Sequence, residues 1–482
     1  MVKMERLRLK AFRGVPGELQ LDFTSPLTII YAPNGTGKSS VIDAAEWLLT
    51  GDVKRVSDLS KRGGAAELRC KFAPVESRME VEGWFSRGKE TFRLLRLPEA
   101  WSIFREGDDT PRRTTGHEVM GLFAPNEFRK ERDYRVAPRL ERDWIRSARF
   151  LTVSTLALLV DTESENQATR EAALGGLLGV GELFARADKF ETFARRLNEG
   201  YGGEEGLAAT KNELARRKEE LARLRDTQAA AACNPPERDE RKHDELSTLL
   251  QILDEKEETL SRESHFRSAL DSLFQERQLL GLEEVVKTIE EKVNKIDRKR
   301  NQALEAAKIF REKANRYCAE QLDRLFDVAF PIFSRVQANE VFDSLHRGPL
   351  KNPFDWVAKS SIYAFTPSPH FSMGQRQDLA LAIFLARARG VNGTFFLDEP
   401  VLHLDDLNRV ALMDTFRMLV LESGPHCNFV MTTARRDFVR HMAEKFANVP
   451  TVHGMPPLRI YELDGTPRDG VRAAKEWCAG VA

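Results

Sequence analysis

The chain has 482 residues, enough for about three domains at roughly 100–200 residues each. Lysine plus arginine and aspartate plus glutamate each number 74. The resulting zero formal charge excludes a uniformly basic nucleic-acid coat but leaves room for local basic patches. Apolar residues make up 41% and charged residues 31%, which supports a packed core together with a long solvated helical segment.

The opening residues carry charge but no apolar h-region. The apolar run Phe150–Val160 is about half a membrane span and contains Thr152, Ser154 and Thr155. A soluble, cytoplasmic protein without membrane contact, nucleoid-associated if it acts on DNA, is therefore expected. Five scattered cysteines with no C-x-x-C pair favour reduced thiols over a disulfide framework or zinc ribbon.

In chain order, Leu7 and Leu9, then Leu19, Leu21 and Phe23, alternate with polar residues and predict two half-buried strands. Leu27–Tyr31 predicts a buried strand, followed by a glycine-rich loop and a helix from about Ser39 to Thr50, stopped by Gly51. Glu67–Phe72, Met79–Phe85 and Thr91–Leu97 read as strands, the last two joined by a turn at Arg87–Glu90.

From about Leu207 to Leu325 glycine nearly disappears and heptads take over. Leu207, Leu214 and Leu221 are spaced by seven, as are Leu246, Leu253 and Leu260. Leu282, Ile289, Ile296 and Phe310 continue the pattern, with Val286 and Val293 at the second apolar position. This predicts a short antiparallel coiled coil that turns at Asn234-Pro235-Pro236, with a second break at Gly281. A compact helical insertion is the competing expectation. Beyond it, Phe371–Gln375 leads into a helix, Thr394–Leu397 and Phe429–Thr433 are buried strands flanking a helix at Val410–Leu421, and Leu458–Leu463 reads as an edge strand. The expected divisions are 1–204, 205–325 and 326–482.

Two motifs carry chemistry. Ala32-Pro-Asn-Gly-Thr-Gly-Lys-Ser39 sits between a strand and a helix and reads as a phosphate loop. The backbone from Asn34 through Gly35, Thr36, Gly37, Lys38, Ser39 and Ser40 would cradle phosphate oxygens. Lys38 would reach the β- and γ-phosphates of ATP, and the Ser39 hydroxyl would bind Mg2+. Thr394–Leu397 ends in Asp398-Glu399, the arrangement in which Asp398 holds Mg2+ and Glu399 polarises the attacking water. Glu399 and Lys38 are thus the candidate catalytic residues.

Phe371-Ser-Met-Gly-Gln375 opens a helix 23 residues before Asp398 and resembles the signature motif of ABC ATPases. Leu404-Asp405 resembles the D-loop. With Phe12-Arg13-Gly14, the phosphate loop and Asp43–Gly51, these motifs resemble the SMC/RecF branch of that family across about residues 1–200 and 326–482. Arg62–Leu68 adds a likeness to the head of the double-strand-break repair member.

The resemblance implies an α/β fold: an ABC-type P-loop head formed from both chain halves, with an inserted coiled coil. It implies ATP-dependent dimerisation in which Ser372, Gly374 and Gln375 meet nucleotide bound to another copy, with Asp405 at that interface. It also implies nucleotide contacts for Arg13 and Arg55. Three features depart from the pattern: only Cys233 is available at the apex for a zinc hook, Ala434 replaces the switch histidine, and Val153-Ser154 stands where a Q-loop glutamine belongs.

DNA contact is expected at residues 128–149, with eight Lys/Arg against four Asp/Glu, or at 287–316, with ten against five. The reading is an ATP-hydrolysing head acting on DNA in repair or anti-phage defence, with a separately encoded nuclease or toxin effector. The alternative is a non-hydrolysing, ATP-bound scaffold that holds an effector inactive.

Overall fold

A computed structural model of the chain describes residues 2–57, 65–105, 110–124, 137–152, 178, 180–201, 204–232, 247–337, 341–351, 356–366, 370–402, 404–422 and 427–480. The strands are β1 Lys3–Phe12, β2 Val15–Asp22, β3 Leu27–Tyr31, β4 Glu80–Arg87, β5 Glu90–Arg96, β6 Trp101–Arg105, β7 Arg112–Thr114, β8 Phe150–Leu151, β9 Gly200–Tyr201, β10 Glu204–Glu205, β11 Ser344–His346, β12 Val357–Ser360, β13 Tyr363–Phe365, β14 Gly393–Leu397, β15 Cys427–Thr433, β16 Leu458–Asp464 and β17 Arg472–Ala479. The helices are α1 Lys38–Thr50, α2 Lys54–Ser57, α3 Ala65–Leu68, α4 Gly116–Phe123, α5 Ala137–Arg149, α6 Gly181–Glu199, α7 Leu207–Ala232, α8 Ser247–Val336, α9 Met373–Gly390, α10 Asp406–Glu422 and α11 Arg436–Phe446. Two compact units result: a head of Met1–Ala185 with Arg311–Ala482, and an arm of Arg186–Phe310.

The head contains two six-stranded sheets. The first, in the order β2-β1-β4-β5-β6-β7, is an antiparallel meander drawn from the N-terminal half. The second runs β17-β16-β3-β15-β14-β8 and takes strands from both halves. Leu27 of β3 sits between Phe429 of β15 and Leu458 of β16, all three strands parallel. Strands this deeply buried need apolar residues on both faces, as Leu27-Thr-Ile-Ile and Gly393-Thr-Phe-Phe-Leu supply. The chain ends are thus joined into one sheet, the ABC-type α/β head that the resemblance implied.

Helix α1 packs against β1, β4 and β5 of the first sheet and against β15 of the second. It is buried along nearly its whole length, with Trp47 5.5 Å from Phe12 and Trp101 Nε1 donating to the Leu48 carbonyl at 2.9 Å. Gly51, in the left-handed region at φ 80°, stops it as expected, its N–H returning to the Trp47 carbonyl at 2.8 Å.

The arm has antiparallel register. Lys211 pairs with Asp297 at 3.7 Å, Lys218 with Glu290 at 2.5 Å and Arg225 with Glu283 at 2.5 Å. Each seven-residue step up α7 is a seven-residue step down α8, the signature of two heptad helices running in opposite directions. Leu207, Leu221, Val286 and Val293 are buried, as the heptads predict. Phe310 instead stacks on Phe190 of α6, with ring centroids 5.7 Å apart. Helix α7 is about 39 Å long at 1.5 Å per residue. The expected turn at 234–236, Cys233 and Leu246 lie outside the described residues, as do the side chains of Leu253 and Leu260.

Several sequence expectations are corrected. Gly281 does not break the helix: α8 runs through it, since one exposed glycine costs only about 1 kcal/mol within a run of good helix formers. Glu67–Phe72 is not a strand. Ala65–Leu68 forms a helical turn, and Arg69 alone bridges to Phe12. Leu458–Leu463 is not an edge, because β17 covers it. Strands β6, β7, β17 and the small sheet β11-β12-β13 were not anticipated. No helix among the described residues is long and apolar enough to cross a membrane.

Candidate functional site

The loop after β3 turns into α1 through Gly35 at φ 85° and Gly37 at φ 84°, both in the left-handed region. Gly14, at the end of β1, lies directly against this turn. Its N–H donates to Ser40 Oγ at 3.0 Å, and a Cβ there would sit 3.1 Å from Gly37 Cα. The two glycine-bearing segments therefore pack backbone to backbone. A cleft of about 520 Å³ opens here, lined by Asn34, Lys38, Ser39, Arg13, Arg55 and Glu399 among others.

The fold brings the two sequence motifs together. Lys38, 5% exposed, donates to the Pro33 carbonyl at 3.3 Å and to Asn34 Oδ1 at 3.2 Å, and pairs with Glu399 Oε1 at 3.1 Å. Ser39 Oγ donates to Asp398 Oδ1 at 3.1 Å. These contacts join residues about 360 positions apart in sequence because β14 and β3 both lie beside β15 in the parallel sheet.

Thr432, near the end of β15, was not singled out from the sequence. Its hydroxyl donates to Asp398 Oδ1 at 2.7 Å and accepts from the Glu399 N–H at 3.0 Å. The Ala434 N–H donates to Glu399 Oε2 at 3.2 Å, so the backbone of this position holds the carboxylate although no histidine side chain is there. Glu399 sits at φ 52°, a strained conformation for a non-glycine residue that these bonds maintain. The sequence signal for this role was the Thr432-Thr433 pair closing an otherwise apolar strand.

Arg13 and Arg55 converge on Asp43 of α1, at 2.9 and 2.5 Å, and Arg55 also lies 3.6 Å from Asp398. Burial pushes the Asp43 carboxyl up against the pull of both arginines, and Asp43 in turn raises Arg55 against its own burial. A bulge in β1, with Ala11 at φ 50° and Arg13 at φ 47°, turns Arg13 onto this cluster. The sequence did not single out Asp43 as the hub.

Ser372, Gly374 and Gln375 do not line the cleft. Ser372 caps α9 in a reciprocal capping box: its hydroxyl accepts from the Gln375 N–H at 3.2 Å, and Gln375 Oε1 accepts from the Ser372 N–H at 2.9 Å. Asp405 precedes α10 and accepts from the Asn408 N–H at 2.7 Å.

One of the two basic stretches is corrected in part, since the side chains of residues 128–140 lie outside the described residues. Among the described residues of 128–149, Arg149 is enclosed in the core, donating to the carbonyls of Thr394 and Asn392, and Trp144 is buried. Arg146 bridges Glu46 and Asp52 at 2.7 and 2.9 Å. In the arm, Lys292, Lys295, Arg298 and Lys299 are all exposed. Val153-Ser154 and residues 128–136 lie outside the described residues.

A family profile described as an AAA domain matches residues 6–308. The chain belongs to that AAA-domain family. It is similar to the chromosome partition protein Smc of Mycoplasma genitalium, 45% identical over 49 residues, which are 10% of this chain and 5% of that protein. It is also similar to a subunit of the nuclease SbcCD of Vibrio cholerae, 29% identical over 121 residues, 24% of this chain and 12% of that one. The matched segments thus span only a small part of these relatives. The fold resembles the Pyrococcus furiosus Smc head domain with an extended coiled coil bound to the C-terminal domain of ScpA. There the TM-score is 0.51 at 16% identity, covering 99% of this chain and 97% of the other. An SmcHead bound to the C-winged helix domain of ScpA gives 0.51 at 13% identity, covering 99% and 98%. The fold is thus that of an SMC-type ABC head with a coiled-coil arm.

Proposed function

We propose that this AAA-domain protein binds Mg-ATP in the cleft beside α1, hydrolyses it, and engages a second copy of its head around the nucleotide while acting on DNA. The observation that carries the reading is the meeting of Lys38 and Ser39 with Asp398 and Glu399. The donor set fits: Ser39 Oγ and Asp398 Oδ1 are hard oxygen ligands suited to Mg2+, and the left-handed glycines leave backbone room for phosphate. When bound, Mg2+ would neutralise developing charge on the phosphates.

The chain's own residues supply the rest. Lys38 exchanges its bond to Glu399 for phosphate oxygens, freeing that carboxylate to orient and polarise water. Thr432 and the Ala434 N–H keep Asp398 and Glu399 in place. Ser372, Gly374 and Gln375 present the start of α9 to nucleotide held by the other copy, with Asp405 beside them. Arg13 and Arg55 turn from Asp43 toward phosphate.

DNA contact is assigned to the arm lysines and arginines, Lys292 to Lys299. The Vibrio cholerae relative is by name part of a nuclease, which supports a separately encoded nuclease as partner; a toxin in that place, and repair or anti-phage defence as the setting, belong to the same proposal. A non-hydrolysing scaffold is the second reading, favoured by Ala434 and the Lys38–Glu399 pair.

The test is Mg-ATP turnover with and without double-stranded DNA, together with cross-linking between heads in Glu399→Gln and in Glu399→Gln with Ser372→Arg. Turnover, and head engagement that requires Ser372, support the first reading. ATP-dependent engagement without turnover in the wild type selects the scaffold. ATP binding with no Ser372-dependent engagement removes the dimer mechanism.

A further inference from the structure

Helix α9 carries an unusual residue in its second turn. Asp378 is 0% exposed, yet no cation pairs with it among the described residues. Its Oδ2 accepts from Gln337 Nε2 at 2.5 Å and from Asn408 Nδ2 at 3.1 Å, while Oδ1 has no partner among the described residues. Gln337 directly follows the last turn of α8, and its N–H continues the helical bonding to the Phe333 carbonyl at 2.9 Å. Asn408 is in the first turn of α10, and its own N–H bonds the Asp405 carboxylate at 2.7 Å. One carboxylate oxygen therefore fastens three segments: the end of α8, the signature helix α9, and the turn that begins at Asp405.

A carboxylate is a costly choice for a buried tie, since an asparagine or serine would satisfy the same donors without desolvating a charge. Nearby charges do not relieve the cost. Arg409 of α10 turns to Asp406 and Asp437, and Arg335 of α8 contacts Met418. The charged group acting on it from the neighbouring segment is Asp405, which is repulsive. Burial, with that repulsion added and only partly offset by the Gln337 and Asn408 bonds, pushes the Asp378 carboxyl up to about 7.

We propose that Asp378 is a positioning residue that locks the signature turn at Ser372 to the Asp405 segment and to the end of α8, so that these parts of the head move as one body. This rests on the reading that Ser372 and Asp405 meet nucleotide bound to a second copy. The assignment of Asp378 itself comes from its burial and its two donors. The lock loosens or tightens with the charge on one carboxyl, because two neutral amide donors favour the ionised form and burial opposes it.

The test uses full-length protein with three variants: Asp378→Asn, which keeps the shape and an acceptor without the charge; Asp378→Leu, which removes the acceptor; and Gln337→Leu, which cuts the tie from the other side if Asp378→Leu does not fold. Amide hydrogen exchange is read over residues 373–378 and 405–409 in the absence of nucleotide, between pH 6 and 8 and corrected for intrinsic rates. The expected result is that Asp378→Leu or Gln337→Leu speeds exchange in both segments together by at least about tenfold, that wild-type protection rises from pH 6 to pH 8 as the carboxyl ionises, and that Asp378→Asn holds the lower protection of the wild type at pH 6 without titrating. Exchange that rises in one segment only, or a titration that persists in Asp378→Asn, overturns the proposal. The same variants in the Glu399→Gln background report ATP-dependent head engagement. If Glu399→Gln alone fails to engage, the dimer reading fails while the exchange result still decides on Asp378.

Discussion

The head and the arm use the same residue types to different ends. In the head, charged side chains are drawn inside: Arg146 and Glu46 are only 16% and 8% exposed, and Asp43 is held between Arg13 and Arg55. In the arm, Lys218 and Glu290 are 53% and 40% exposed, and the ion pairs decorate a seam made by Leu221, Val286 and Val293. A buried pair is expensive to break because the remaining charge has nowhere to go, whereas an exposed pair is screened and its partners return to water. The head's charges thus fix geometry at a site, and the arm's charges register two helices.

The largest effect expected from this contrast is at Lys38. Lys38→Ala removes the cation that bonds Asn34, Pro33 and Glu399, and ATP affinity by calorimetry should fall about a hundredfold or more. Undiminished affinity would break the assignment of the cleft. Next, Glu399→Gln should leave ATP affinity within about threefold of wild type while lowering turnover by about 10²–10⁴-fold, the usual span for a lost general base. Measured turnover near wild type would place the catalytic group elsewhere.

The third prediction sets head against arm directly. Arg146→Ala strands Glu46 in the core and should cost about 3 kcal/mol in denaturant unfolding. Burial already pushes Glu46 up against the pull of Arg146. Without the arginine the folded-state value rises further, so the proton-bound form tolerates the loss. The penalty should therefore be smaller near pH 5 than at pH 8, because stability is lost as pH rises through the folded-state value. An equal penalty at both pH values would mean that Glu46 is not the group left exposed to desolvation.

The smallest effect belongs to the arm. Lys218→Ala should change stability by less than about 1 kcal/mol, and the exchanged pair Lys218→Glu with Glu290→Lys should match wild type within error. A loss comparable to that at Arg146 would end the distinction between the two regions.

Much of the site was legible because its chemistry is local in sequence. A phosphate-loop reading needs a strand, left-handed glycines, a lysine and a helix start within one short stretch, and residues 27–50 contain all of them. The heptads were legible for a related reason: a period of seven is a one-dimensional signal, and the buried Leu207, Leu221, Val286 and Val293 follow it. The failures were non-local or cooperative. Gly281 reads as a stop only if a helix is judged residue by residue, and Ala65–Leu68 adopts a helical turn where alternation suggested a strand. Leu458–Leu463 gives no sign that β17 will cover it, since that pairing is set by the sheet.

Only a resemblance to a known family implied that both chain ends build one head; the sequence by itself determined a strand, glycine-rich loop and helix over residues 27–50, an apolar strand ending in Asp398-Glu399, and a heptad arm between them. Spacing and residue type are sufficient for these, because each depends on backbone conformation within a few turns. Only the tertiary structure decided that Thr432 holds both Asp398 and Glu399, that Asp43 gathers Arg13 and Arg55, that Arg146 and Arg149 are spent inside the head, and that Asp378 ties three segments together. Those contacts join strands and helices far apart in the chain, and their strength comes from burial, which no local pattern encodes.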